Sequence, residues 1–425
     1  MNMAYNIDVI LQDSRNMEGY MLLEFKATNY KSFQDELIFS LSPAPKQTGL
    51  DYSVIQENIK GKTYKGLCSA VIYGSNASGK TNIIGAMDTF KSIVLRGNIR
   101  NSDDQSGPNA ASGNLELIPN NQFIHNSPVS FGIKFTADNY LIEYSFSVDL
   151  GEFLEADHNR KIFSEHLKIN GEMIFYREPG LEFGKLKTIH DLAVNAFEQN
   201  EKGAIALAKG NLNDEELFLM NGFKAMFSSK LVHLITNWLE KRFIVVYSAD
   251  KMRLVHKFLD NTKESIYIEK TLNEAASSFG INSNALGYVV DGENNESKLC
   301  SIFENGNRET AIPAEVFESY GTIRFVNIFP LVVHALMNGG TLVADEFDAS
   351  IHPMALMNII NIFHNDEINL NHAQLVFNTH NPIFLNYNLF RRDKIKFVER
   401  DDKTHCSSHY SLRLWHIRKI RGSQR

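Results

Sequence analysis

The sequence predicts an α/β fold with an antiparallel β subdomain and a helical insertion. Three observations carry that expectation. Apolar runs at 69–73 and 340–344 do not alternate with polar residues, the pattern of strands buried on both faces, and 375–377 and 395–398 read as the last strands. Residues 129–148 instead alternate apolar with other residues, the pattern of a half-buried antiparallel pair. Between these regions, Leu231, Leu234, Ile235, Trp238 and Leu239 recur at helical spacing.

Taken in order, residues 1–20 show no period and read as a loose extension. Residues 21–26 and 37–41 read as strands, and 69–73 as a buried central strand ending at Gly74. Residues 99–115, rich in Asn, Ser, Asp and Gly, read as a mobile loop. In 129–148, Val129, Phe131, Ile133 and Phe135 answer Ile142, Tyr144, Phe146 and Val148 across a turn at 137–139. Asn170-Gly171 marks a second hairpin, because this dipeptide accepts the two positive φ angles of a type I′ turn. Residues 190–227 and 252–279 read as mostly helical, and a helix starts near Ser229. Asn305-Gly306 marks another hairpin. Pro353 opens a helix whose Leu356, Ile359, Ile360 and Phe363 share a face. After Tyr410 come Arg413, Arg418, Lys419, Arg421 and Arg425 without acidic residues, a solvated basic tail.

Composition narrows the classes. The 425 residues suit two or three domains, or one core with insertions. Hydrophobic residues at 43% and charged residues at 22% exclude a disordered chain. The longest apolar stretch, 325–337, is short and interrupted by Asn327, Pro330 and His334, so no membrane span is expected. The N-terminus, with Asp8 and Asp13, does not resemble a secretory signal. Cys68, Cys300 and Cys406 make no disulfide framework and suggest a reducing cytoplasm. A net charge of −7 argues against a surface coated for nucleic acid but leaves room for a local basic groove.

Two motifs carry chemistry. Gly74, Ser75, Asn76, Ala77, Ser78, Gly79, Lys80 and Thr81 fit G-x-x-x-x-G-K-[ST], after a buried strand and before a helix that begins with Asn82. Glycines let backbone N–H groups converge on phosphate oxygens, and the helix N-terminus adds positive potential. Lys80 can reach the β- and γ-phosphates of ATP, and the Thr81 hydroxyl can bind Mg²⁺. Such a loop needs a carboxylate at the end of a neighbouring strand. Asp345 and Glu346 close the run 341–346: Asp345 would hold the metal, and Glu346 would orient and deprotonate the attacking water.

Further segments resemble a known family. Residues 318–324, Glu-Ser-Tyr-Gly-Thr-Ile-Arg, resemble the signature motif of ABC-type ATPases in its E-S-x-G-T-x-R form. Residues 347–353 resemble a D-loop, and 378–380, Asn-Thr-His, a switch histidine. In order and spacing these are similar to the AAA15/AAA21 group of ABC ATPases, relatives of the OLD nucleases and of Rad50 and SMC heads. Residues 21–25 and 29–33 look like the group's opening, with Lys31 where Arg is usual. The resemblance implies an ABC-type P-loop head, with ATP sandwiched in a head-to-tail homodimer. Ser319 and Gly321 of one subunit would touch the γ-phosphate held by the other. Asp348 and Ser350 would communicate across the interface, and His380 would contact the γ-phosphate near Glu346. A Q-loop glutamine is also implied, with Gln122 the best placed and a plain loop residue the alternative; Lys31 would touch phosphate.

On this reading, residues 21–150 form the N-lobe, 151–310 a β-hairpin plus helical arm or lid, 311–400 the C-lobe, and 401–425 the tail. No nuclease domain of the OLD type fits after Arg400. His405, Cys406 and His409 lack a fourth ligand and the spacing of a standard zinc set. Relatives occur in two-gene antiphage systems such as PARIS and Septu. The resemblance therefore implies an ATP-hydrolysing switch subunit that controls an effector protein encoded nearby, without a membrane. The alternatives are a RecF- or Rad50-like ATPase acting on DNA, and a nucleotide-locked scaffold.

Overall fold

The computed structural model describes residues 19–45, 49–100, 115–122, 127–153, 155, 158–193, 200–247, 266–268, 285–290, 297–305, 308–349, 351–386, 390–401 and 403–411. Most of the loop expected at 99–115, Ser350 and the basic tail lie outside them.

β1 (Met21–Thr28) and β2 (Leu37–Ser40) pair antiparallel. The turn between them bends sharply, with Asn29 and Lys31 at positive φ. Next comes a hairpin that sequence reasoning missed, β3 (Val54–Ile59) and β4 (Lys62–Leu67). Its strands carry Gln56, Glu57, Asn58, Lys62 and Lys65, so too little apolar alternation remains to signal it. β5 (Ser69–Gly74) leads through the phosphate-loop motif into α1 (Lys80–Arg96).

β6 (Val129–Ala137) and β7 (Tyr140–Asp149) pair in the expected register, Phe131 opposite Phe146 and Phe135 opposite Ile142. β8 (Lys161–Ile169) and β9 (Glu172–Arg177) turn at Asn170-Gly171, both at positive φ, before β10 (Leu181–Phe183). These strands form a seven-stranded antiparallel sheet in the order β10-β9-β8-β7-β6-β1-β2.

The middle of the chain contains α2 (Glu201–Gly210) and α3 (Ser229–Asn237), the latter capped by the Ser228 hydroxyl accepting from Leu231 N–H. Two single π-turns, Leu219–Phe223 and Trp238–Arg242, complete this helical part. Trp238 stacks on Phe135 at 3.9 Å between ring centroids, which docks the part onto the antiparallel sheet. β11 (Phe243–Val246) follows.

The stretch 252–279 departs from expectation where it is described. β12 (Ile266–Ile268) is a strand and starts a four-stranded antiparallel sheet with β13 (Ala285–Val290), β14 (Ser297–Asn305) and β15 (Arg308–Pro313). Pairing partners distant in sequence fix β12, and helical periodicity in its flanks carries no information about them. β14 and β15 pair antiparallel with Asn305 opposite Arg308, the pairing expected of a hairpin there.

α4 (Tyr320–Asn338), β16 (Thr341–Ala344), α5 (Pro353–His364), β17 (Gln374–Thr379), β18 (Ile395–Arg400) and β19 (Ser407–Ser411) complete the fold. α4 is long and apolar enough to cross a membrane by composition alone. Here Phe325, Val326, Phe329 and Val332 bury it as a core helix. β19, which no sequence signal marked, pairs antiparallel with β18.

The central sheet runs β11-β16-β17-β5-β18-β19, the first five strands parallel. Alternate residues face two cores. Ala70, Ile72, Val343 and Val376 join α1 and the antiparallel sheet, while Val71, Leu342, Leu375 and Phe377 join α4 and α5. This explains the continuous apolar runs, since a parallel sheet covered on both faces has no polar side. Gln374 ties the sheets together. Its side-chain oxygen accepts from Leu22 N–H at 2.7 Å and Thr341 Oγ1 at 2.9 Å, and its nitrogen donates to the carbonyls of Leu22 and Leu67.

Candidate active site

The parallel strands β16, β17 and β5 end side by side. Ala344 pairs with Phe377, and Thr379 with Tyr73, so the residues just past each strand converge at one edge. The carboxyl ends of parallel strands are where open α/β sheets bind ligands. The phosphate-loop motif leaves β5 there, the acidic pair leaves β16, and His380 leaves β17.

The loop is shaped by backbone conformations that its sequence permits. Ala77 has φ 58°, and Gly79 has φ 105° at the N-cap of α1. A Cβ on Gly79 would lie 2.5 Å from Ser407 Oγ and 2.6 Å from Ser32 Oγ, so glycine is needed for space as well as for φ. A Cβ on Gly74 would meet the Val398 carbonyl at 2.4 Å. No side chain caps α1, which leaves its first-turn N–H groups for an anion.

Lys80 is nearly buried, 5% exposed. Its ammonium donates to the carbonyls of Gly74 at 2.9 Å and Ser75 at 2.8 Å, and to His380 Nδ1 at 3.3 Å. These three contacts match the three protons of the ammonium. Burial lowers the Lys80 pKa to about 8, against the upward pull of Asp345, Glu346 and Asp348. A phosphate group would restore the charge that burial disfavours.

The Thr81 hydroxyl donates to Asp345 Oδ1 at 3.1 Å. A hydroxyl and a carboxylate are hard oxygen donors suited to Mg²⁺, which keeps most of its remaining ligands as phosphate oxygens and water. Among the described residues, no group of three or more His, Cys, Asp and Glu could hold a metal by itself. The fit is therefore to a metal that arrives with phosphate. Asn378, 1% exposed, donates to the Asp345 carboxylate, and its side-chain oxygen accepts from Glu346 N–H. Glu346 has φ 47°. Arg324 Nη2 donates to the Glu346 carbonyl at 2.6 Å. Asp348 accepts from Thr379 Oγ1.

The other expected residues have partners of their own. Ser319 caps α4, its hydroxyl accepting from Thr322 N–H at 3.1 Å, with Gly321 in the first turn. Asn82 Nδ2 donates to Ser32 Oγ at 2.8 Å, so its side chain braces the loop from outside. Lys31 is occupied by Glu116, and also donates to the Tyr247 hydroxyl at 3.1 Å. Gln122 is exposed in a turn, its N–H donating to Asn120 Oδ1 at 2.9 Å. The edge strand beside β16 is β11, and Asp345 N–H donates to the Val246 carbonyl at 2.9 Å. Tyr247 is the side chain that follows this edge strand.

Sequence reasoning also missed Ser407. Its hydroxyl donates to the Ser78 carbonyl at 2.6 Å and its N–H to the Ser32 carbonyl at 2.7 Å, clamping the loop from β19. No local signal marks it, because the contact depends on strand pairing.

Residues 69–386 match the family described as "AAA domain, putative AbiEii toxin, Type IV TA system". The chain belongs to this family. No curated protein matches the sequence. Solved structures similar to it include an SMC head domain from Thermotoga maritima, at 13% identity and TM-score 0.37, covering 92% of this chain and 98% of that one. Another is an SMC head bound to the C-terminal winged-helix domain of ScpA, at 12% identity and TM-score 0.41, covering 92% and 97%. A third is an SMC head with an extended coiled coil from Pyrococcus furiosus, at 12% and 0.39, covering 95% and 99%. The fold is α/β, a mainly parallel central sheet with an antiparallel sheet as its second layer, and the family match over 69–386 makes it an AAA domain.

Proposed function

We propose that the protein binds Mg·ATP and hydrolyses it in a head-to-tail dimer, as the switch subunit for a separate effector in bacterial antiphage defence. The observation that carries the nucleotide part is the junction of Lys80, Thr81, Asp345 and His380 at the ends of three adjacent parallel strands. The family supports the ATPase part. The effector and defence roles rest on the resemblance in the sequence.

In this reading Lys80 and the first turn of α1 hold the phosphates, and Thr81 and Asp345 hold the metal. Bound Mg²⁺ would neutralise charge developing on the phosphate oxygens. Glu346 orients a water and takes its proton, and His380 positions the same end of the nucleotide. Ser319 and Gly321 reach the nucleotide of a partner subunit, as the resemblance of residues 318–324 to a signature motif implies. Asp348 and Ser350 lie on the segment that would face that partner. Lys31 and Gln122 have a weaker claim to the nucleotide.

The test is Mg²⁺-dependent phosphate release from ATP. Wild-type turnover should fall about 100- to 10,000-fold in Glu346→Gln, with ATP binding retained. Equal turnover in both proteins would refute the role of Glu346.

A further inference from the structure

The backbone of Glu346 is gripped on both sides. Its φ of 47° lies in the left-handed region that a residue with a Cβ avoids. On one side its N–H donates to Asn378 Oδ1. On the other its carbonyl accepts from Arg324 Nη2 at 2.6 Å, and the same nitrogen lies 3.3 Å from the Asp345 carbonyl. Asn378 uses its remaining group on the Asp345 carboxylate, so one amide sets both acidic residues. Both gripping side chains are buried, Asn378 at 1% exposure and Arg324 at 6%.

Arg324 has a second attachment. It sits on α4, whose N-cap is Ser319 and whose first turn carries Gly321. The helix that presents the signature residues to a partner is therefore bonded, through one guanidinium, to the peptide of Glu346 in its own subunit.

We propose that Arg324 and Asn378 are positioning residues: together they hold Glu346 in its left-handed conformation with its carboxylate aimed for catalysis, and Arg324 links that aim to the position of the signature helix. The inference rests on the reading of Glu346 as the water-activating group. The physical reason is geometric. A catalytic carboxylate misplaced by about 1 Å costs on the order of 100-fold in rate. A planar guanidinium fixes a carbonyl direction that an ammonium on a flexible stem does not.

The experiment compares wild type, Arg324→Lys and Asn378→Ser in ATP binding, steady-state turnover and Mg²⁺ dependence. Arg324→Lys should lower kcat about 10- to 100-fold while the Kd for ATP stays within about twofold. Asn378→Ser should lower kcat similarly and also raise the Mg²⁺ concentration needed for half-maximal turnover, because of the two positioning side chains it is Asn378 that donates to the Asp345 carboxylate. Added guanidinium should recover part of the rate of Arg324→Ala and none of the rate of Glu346→Gln. Retained ATP affinity in the variants shows that they fold. Wild-type turnover with kcat unchanged in both single variants would overturn the inference alone, as would equal loss of binding and rate. A wild type that binds ATP without hydrolysing it would overturn the reading of Glu346, and the inference with it.

Discussion

The lowered pKa of Lys80 makes nucleotide affinity depend on pH in a defined window. Removal from water by burial favours the neutral amine, and the pKa falls to about 8 despite three nearby carboxylates. A bound polyphosphate favours the ammonium, so ATP binding draws a proton onto the protein. Below pH 8 the ammonium is already present and affinity is flat. Above pH 8 the proton must be taken up, and affinity falls about tenfold per pH unit until the pKa of the bound state is reached. From pH 7 to pH 9 the Kd for ATP should therefore rise about tenfold, with uptake of about half a proton at pH 8. Isothermal titration calorimetry in buffers of different ionisation enthalpy measures both quantities. Lys80→Arg keeps its charge throughout this range and should lose the slope, whatever its absolute affinity. A wild-type Kd constant from pH 7 to 9 without proton uptake would refute the argument.

Two further outcomes follow from packing. Gly79→Ala places a methyl between Ser407 and Ser32 at a φ of 105°, and should cost about 1–3 kcal/mol and abolish ATP binding. Unchanged melting and binding would show that β19 does not clamp the loop. Gln374→Leu keeps the side-chain volume but leaves buried partners on Leu22, Leu67 and Thr341 unsatisfied. It should cost about 3 kcal/mol or more in a denaturant titration, and a loss below about 1 kcal/mol would contradict the account of how the sheets are joined.

What the sequence made legible was local or strongly periodic. The runs at 69–73 and 341–344 announced buried strands because both faces of a covered parallel sheet are apolar. Asn170-Gly171 announced its hairpin because few dipeptides accept two positive φ angles. The phosphate-loop motif and the Asp345–Glu346 pair were visible for the same reason: their chemistry fixes residue type at fixed spacing. The parts that escaped depend on partners remote in sequence. Ser407 acts only because β19 pairs beside β18. Asn378 was read as a neighbour of the switch histidine, and nothing local says that its amide spans both acidic residues. The place of β11 beside β16 is likewise hidden, since the pairing of an edge strand cannot be read from its own four residues. The helical reading of 252–279 failed at β12 because flanking periodicity does not report a strand's partners.

The most direct test of the dimeric ATP switch is the solution mass of Glu346→Gln protein, by sedimentation velocity, with Mg·ATP and with Mg·ADP. The account predicts a dimer with ATP, trapped because hydrolysis is blocked, and a monomer with ADP. The same mass in both nucleotides, with ATP bound, would contradict it.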